Sequence, residues 1–179
     1  MLDFSEVPLL VAFTSLNRYT AQIDRLEDAD VARVMAAYYE LVGSALATAG
    51  GRVVKFIGDA TLAVFPPECV DRGVLGLLDL KDAADRFMAE RNWDCRLVAK
   101  AHFGPVAAGE FGTGSDRRYD VLGKTVNVAA RMDTNGVALS VEAFRQLGSD
   151  TRRRFKKHTP PVSYVRQEDS HRPRWAKRS

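Results

Sequence analysis

Four side chains in this sequence are of types, and at spacings, that suit a phosphorylated ligand. The stretch Tyr119–Met132 (YDVLGKTVNVAARM) reads as an extended run into a glycine turn and then a helix. On that helix Asn127 and Arg131 are four residues apart, so they stand on one face, one turn above the other. Small apolar residues flank them (Val126, Val128, Ala129, Ala130). An amide and a guanidinium projecting together suit a ribose and a phosphate, although a capping amide and a solvated arginine would use the same residues. Upstream, in KFIGD, the residues Lys55, Ile57 and Asp59 share parity, which places Lys55 and Asp59 on one side of a regular strand. A carboxylate at a hairpin tip can serve Mg²⁺, which takes one or two carboxylates plus substrate phosphates. Gly58-Asp59 is equally a tight-turn dipeptide. Lys55, in the middle of an apolar strand, must reach water, a partner or a ligand.

The elements that position these groups follow from pattern. Val7–Thr14 (VPLLVAFT) fits a buried strand, and Ser15–Asp30 is a polar segment holding a short helix. Apolar residues keep a helical period from Asp30 until Gly50-Gly51, a helix stop. Arg52–Phe65 reads as a hairpin about Gly58-Asp59, and Glu68–Arg91 as a second long helix. Cys95–Phe111 is a strand region interrupted at Gly104-Pro105 and Gly109, followed by a loop over Gly112–Arg117. After the Asn127 helix, expected to end near Gly136, come a strand (Val137–Ser140), a short helix (Val141–Leu147) and a closing hairpin (Arg154–Arg166). The order is β-α-α-β-β-α-β-β-α-β with a C-terminal β extension. It predicts an α+β fold, a ferredoxin-like sandwich whose mixed central sheet carries helices on one face.

Composition agrees with one such domain. The 179 residues suffice for one real core, and 46% hydrophobic with 27% charged residues is ordinary for a globular protein. No apolar run approaches membrane-span length. The N-terminal residues lack an export signature. Cys69 and Cys95 have no metal or disulfide spacing, which suits packing residues in a reducing cytoplasm. The net charge of +3 is uneven: Thr151–Ser179 holds ten Lys/Arg against two Asp/Glu, and the rest is mildly acidic. Residues 1–169 are expected to form the domain and 170–179 a basic, flexible tail.

With the hairpin and the Asn127 helix in register, the chain resembles the class III nucleotidyl cyclases, the catalytic domain of adenylate and guanylate cyclases. The likeness runs from about Val7 to Tyr164 and is carried by VAFTSLNRYT, GGRVVKFIGDATLAVF, FGPVAAGEFG and YDVLGKTVNVAARM. The resemblance implies that Lys55 and Asp120 read the adenine edge, as in adenylate-type members, where guanylate-type members carry Glu and Cys. Lysine donates to a ring nitrogen and a carboxylate accepts from the exocyclic amine. It implies further that Asn127 orients the ribose and Arg131 stabilises the phosphoryl transition state. Asp59 matches the second metal-binding aspartate, and Lys156 or Lys157 matches the basic residue on the triphosphate.

One position departs from the pattern. The first metal aspartate of the family falls on Ser15, and no acidic residue lies between Glu6 and Asp24 to replace it. The backbone carbonyl of Leu16 and the hydroxyl of Ser15 remain as weak metal ligands. The resemblance therefore implies ATP conversion to cyclic AMP and pyrophosphate at a dimer interface, with two divalent cations (Mg²⁺ or Mn²⁺) whose binding is impaired. The alternative is a degenerate domain that binds nucleotide as a regulator or heterodimer partner. ATP and a second cyclase chain are the expected partners, with neither membrane nor nucleic acid involved.

Overall fold

The computed structural model describes residues 4–159 and 161–169. Basic residues of the predicted tail, 170–179, lie outside them. Three strands at the middle of the sheet set the frame. Strand β1 (Phe4–Asn17) runs antiparallel to β4 (Arg96–Phe111) along its whole length, and β3 (Ala60–Phe65) pairs with its other side. Strand β2 (Arg52–Ile57) forms the edge beyond β3. On the far side, β6 (Val137–Leu139) joins β4 in parallel, followed by β8 (Ser163–Arg166) and β7 (Phe155–His158). The last part of β4 pairs instead with β5 (Arg118–Leu122).

Both faces of β1 are covered, which is why PLLVAF is continuously apolar instead of alternating. Leu10, Ala12 and Leu16 face the long helices α2 (Asp28–Thr48) and α3 (Val70–Ala89), which close the main core around Tyr38, Phe65, Leu77 and Met88. Leu9 and Val11 face the other way, into a smaller cluster with Val106, Val121 and Ala129. Ala129 belongs to α4 (Lys124–Arg131), so the long helices share one face, as expected, and the short α4 sits on the opposite one. Burying each large apolar side chain contributes roughly 1.5–3 kcal/mol. The remaining helices are short: α1 (Tyr19–Ile23), α5 (Val141–Arg145) and α6 (Ser149–Arg152).

Several boundaries differ from the sequence expectation. Strand β1 continues through Ser15 to Asn17, so Ser15 is a strand residue. Strand β4 is unbroken. Pro105 stands opposite Pro8, and on its outer side β4 is unpaired between the stretches taken by β6 and β5. Neither proline is asked for the N–H it lacks. Gly136 ends no helix, since α4 stops at Arg131; it leads into β6, and Asp169 packs against it. Helix α6 went unpredicted, being only four residues long.

A charged clip fixes α3 to the sheet. Lys81 Nζ donates to Asp85 Oδ2 (2.8 Å) and to the Leu97 carbonyl (3.1 Å), while Asp85 Oδ1 accepts from Leu97 N–H (2.7 Å). Lys81→Met removes the ammonium and leaves the half-buried Asp85 with one donor. It is expected to destabilise the domain by about 2–3 kcal/mol, read as a lower urea midpoint; an unshifted midpoint would show that the clip contributes nothing net. At the C-terminal end Arg166 grips Asp82 of α3 through two hydrogen bonds (2.6 and 2.9 Å), which hold the Asp82 carboxyl below its usual range. Asp169 Oδ2 accepts from Val137 N–H (2.8 Å), so the chain is stitched to the sheet as far as Asp169.

Candidate active site

Helix α4 is placed by two glycines. Gly123 has φ +136°, a conformation in which a side chain would be strained, and it turns β5 directly into the helix. Gly104 of β4 lets the helix settle: a Cβ there would lie 2.7 Å from Thr125 Oγ1, which donates to the Pro105 carbonyl at 2.6 Å. With Thr125 and Ala129 buried against the sheet, Asn127 and Arg131 occupy the outer face and are exposed. Neither has a side-chain hydrogen bond or ion pair among the described residues. Arg131 lines a polar depression of about 320 Å³ with Ser15, Lys100, Asp133 and Thr134. Lys100 Nζ donates to the Ala130 carbonyl (2.5 Å), at the negative end of the α4 dipole.

The hairpin tip is held from two sides. Tyr39 of α2 stacks on Phe56 (4.2 Å between ring centres), and its hydroxyl donates to the Gly58 carbonyl at 2.5 Å. Asp59 Oδ2 accepts the backbone N–H of Leu16 at 2.8 Å. The group that Leu16 turns to Asp59 is thus its amide N–H. The Tyr38 phenol is pushed far up, first by burial and then by the Asp59 charge; the same two causes raise Tyr19. Burial likewise moves the Cys95 thiol up to about 11, as for a packing cysteine. For metal binding, the hairpin tip offers the Asp59 carboxylate. Among the described residues no group of three or more His, Cys, Asp or Glu is placed to hold an ion.

Strands β2 and β5 are not hydrogen-bonded neighbours, yet side chains join them. Lys55 Nζ meets Asp120 Oδ2 at 2.5 Å, and Asp120 Oδ1 accepts its neighbour's N–H, from Val121, at 2.8 Å. Lys55 remains 43% exposed and Asp120 22%, so the pair is open to a ligand. The expectation that Lys55 and Asp59 share a side assumed a regular strand. Lys55 to Ile57 are regular, the one-residue β-bulge lying before them between Val53 and Lys55; Asp59 instead falls in the turn after Gly58 (φ +60°), so Lys55 reaches Asp120 while Asp59 reaches for Leu16. Three residues before Lys55, the Arg52 guanidinium stacks over Tyr119, 3.7 Å from the ring centre.

The register separates the two candidate lysines of β7. Phe155 packs in the core on the α2/α3 side, and Lys157 shares its parity. Lys156 stands in the cross-strand row Lys100, Ala138, Val165, Lys156, on the α4 side with Arg131. Its Nζ donates to the carbonyls of Gln167 (2.7 Å) and Asp169 (3.1 Å). Lys100, Arg52, Tyr119 and Tyr39 were not anticipated. Lys100 carries the same signal as Lys55, a lysine in an apolar strand. The others depend on contacts between distant segments.

Comparison with known proteins places this arrangement. The family described as "Adenylate and Guanylate cyclase catalytic domain" matches residues 4–157. An adenylate cyclase of Anabaena cylindrica is 28% identical over 133 residues, covering 70% of this chain and 26% of that protein. An uncharacterised protein of Mycobacterium tuberculosis is 30% identical over 124 residues, 68% of this chain and 23% of its own length. The chain thus spans about a quarter of the length of the curated relatives it matches. Among solved structures, the adenylyl cyclase CyaB from P. aeruginosa superposes with a TM-score of 0.81 at 16% identity, over 96% of this chain and 98% of that one. The catalytic core of a rhodopsin-guanylyl cyclase with converted specificity, in complex with ATPalphaS, gives 0.74 at 24% identity, over 82% and 84%.

Proposed function

The chain belongs to the adenylate and guanylate cyclase catalytic domain family, and from that premise we propose that it forms 3',5'-cyclic AMP and pyrophosphate from ATP, in a dimer whose sites are shared between subunits. The observation that carries the choice of base is the Lys55–Asp120 contact, a donor beside an acceptor joined across 65 positions of sequence. Adenine offers a ring nitrogen that accepts and an amine that donates, and the pair supplies the complement to each. In the reaction the ribose 3' oxygen bonds to the α-phosphorus, losing its proton, and pyrophosphate leaves. Asn127 holds the ribose so that this oxygen lies in line, which is where positioning lowers the barrier. Arg131, with no acceptor among the described residues, stabilises charge on the phosphoryl oxygens. Lys156, on the same face, receives the leaving phosphates after releasing its two carbonyl partners.

The family uses divalent cations, and here a single carboxylate, Asp59, stands at the position that would hold them. That observation favours a second reading, in which the domain binds nucleotide and lends Lys55, Asp120, Asn127 and Arg131 to a more complete partner chain. Cyclic AMP formation from ATP by the purified chain separates the two. Slow turnover, larger with Mn²⁺ than with Mg²⁺, is expected, because Mg²⁺ tolerates incomplete octahedral sites least. No cyclic AMP with either metal, together with retained ATP binding, would favour the regulator. A cytoplasmic location fits both readings. No described helix is long and apolar enough to cross a membrane.

A further inference from the structure

A lysine beside an aspartate chooses adenine over guanine only while the two keep their order along the base edge. Adenine presents an acceptor (N1) next to a donor (the 6-amine). Guanine presents an acceptor (O6) next to a donor (N1–H). The order along the edge is opposite, donor at position 6 and acceptor at 1 in adenine against acceptor at 6 and donor at 1 in guanine, so a lysine and a carboxylate free to trade places would accept either base. Discrimination therefore depends on how firmly Lys55 and Asp120 are placed. The backbone does little to place them relative to each other. Strand β2 is bonded to β3 alone and β5 to β4 alone, so the two strands that carry the pair lie on separate edges.

From this geometry we infer that the Arg52–Tyr119 stack is a positioning device that sets base selectivity. Three observations support it. The guanidinium lies 3.7 Å from the ring centre, and Tyr119 immediately precedes Asp120. The bulge after Val53 brings Arg52 and Lys55, three residues apart, to one side of β2: Arg52 pairs with Val64 and Lys55 with Leu62, whose side chains share the smaller core cluster. In a regular strand an odd spacing would send them to opposite faces. The stack also joins flat surfaces whose area resists sliding, whereas an ammonium can follow a carboxylate through a range of positions. The stack fixes the spacing of β2 from β5; the ion pair alone would not.

This inference rests on the reading of Lys55 and Asp120 as the base contacts, and the experiment keeps the two apart. Binding of ATP and of GTP to the full chain is titrated for wild type, Arg52→Ala, Tyr119→Leu and Tyr119→Phe, with circular dichroism to confirm folding. Wild type is expected to prefer ATP. Arg52→Ala and Tyr119→Leu are expected to move the ATP:GTP affinity ratio about three- to tenfold toward unity, and Tyr119→Phe, which keeps the ring, to retain it. A merely structural stack would weaken both nucleotides together and leave the ratio alone. An unchanged ratio in folded Arg52→Ala, with ATP preferred by wild type, would overturn the role of the stack while the base contacts stand. Equal binding of the two nucleotides by wild type would overturn the base contacts and this inference with them.

Discussion

Ser15→Asp is expected to raise cyclic AMP formation in Mg²⁺ by roughly two to four orders of magnitude, the equivalent of the about 3–5 kcal/mol that one missing partner of a charge pair costs. The backbone there is already fixed. Ser15 lies in strand β1 opposite Val98 of β4, one residue past the end of the β3 pairing, and precedes the Leu16 amide that holds Asp59. A carboxylate at 15 enters a depression that also contains Lys100 and Arg131, so its charge is not stranded in an apolar setting. The gain should be smaller in Mn²⁺, which accepts a wider range of ligand sets. Rates of wild type and variant, each with the two metals, decide the matter. A folded Ser15→Asp protein with no gain in either metal would locate the deficiency elsewhere and support the regulatory reading.

The second large effect concerns assembly. Arg131→Ala and Asp59→Ala should each lower turnover by about 10²–10³-fold, the usual loss when one charge-stabilising group is removed from a reaction site. If each site draws Asp59 from one subunit and Arg131 from the other, mixing the two inactive variants restores activity. Random reassortment makes half the dimers mixed, and each mixed dimer has one intact site of two, so about a quarter of the parent activity returns. The Ser15→Asp background gives the larger signal for this assay. Co-purifying variants that recover nothing would place both residues in the same site of one chain and dismiss the shared arrangement.

Much of this was legible in the sequence for identifiable reasons. The hairpin was announced by β-branched runs about Gly58-Asp59, and α4 by a glycine before a segment with small residues at helical spacing. Lys55 stood out because a lysine in an apolar strand needs a partner, and it has one in Asp120. Other features depend on pairings that no local pattern encodes. Pro105 looked like a strand break because its tolerance depends on the gap between β5 and β6. The bulge at Val54 was invisible because Arg-Val-Val-Lys reads the same in a regular strand. The Arg52–Tyr119 stack joins residues 67 positions apart. That Lys156 and Lys157 face opposite sides of the sheet needed the register of four strands.

The pairing of β1 with β4 has a kinetic consequence. Its fourteen facing residue pairs, from Phe4 with Gly109 to Asn17 with Arg96, join segments separated by most of the domain. Closing so long a loop costs chain entropy before any contact returns it, which makes such pairings slow and late in folding. Much of what the nucleotide would touch hangs on that pair: Asp59 through the Leu16 amide of β1, α4 through Gly104 and Pro105 of β4, and Asp120 through β5. The β2–β3 hairpin carries Lys55, but without the β1–β4 pairing neither Asp120 nor α4 is set against it. A site read as one for a nucleotide is then tied to the most non-local pairing of the domain, so a substitution that loosens β1 from β4 should weaken nucleotide binding along with stability.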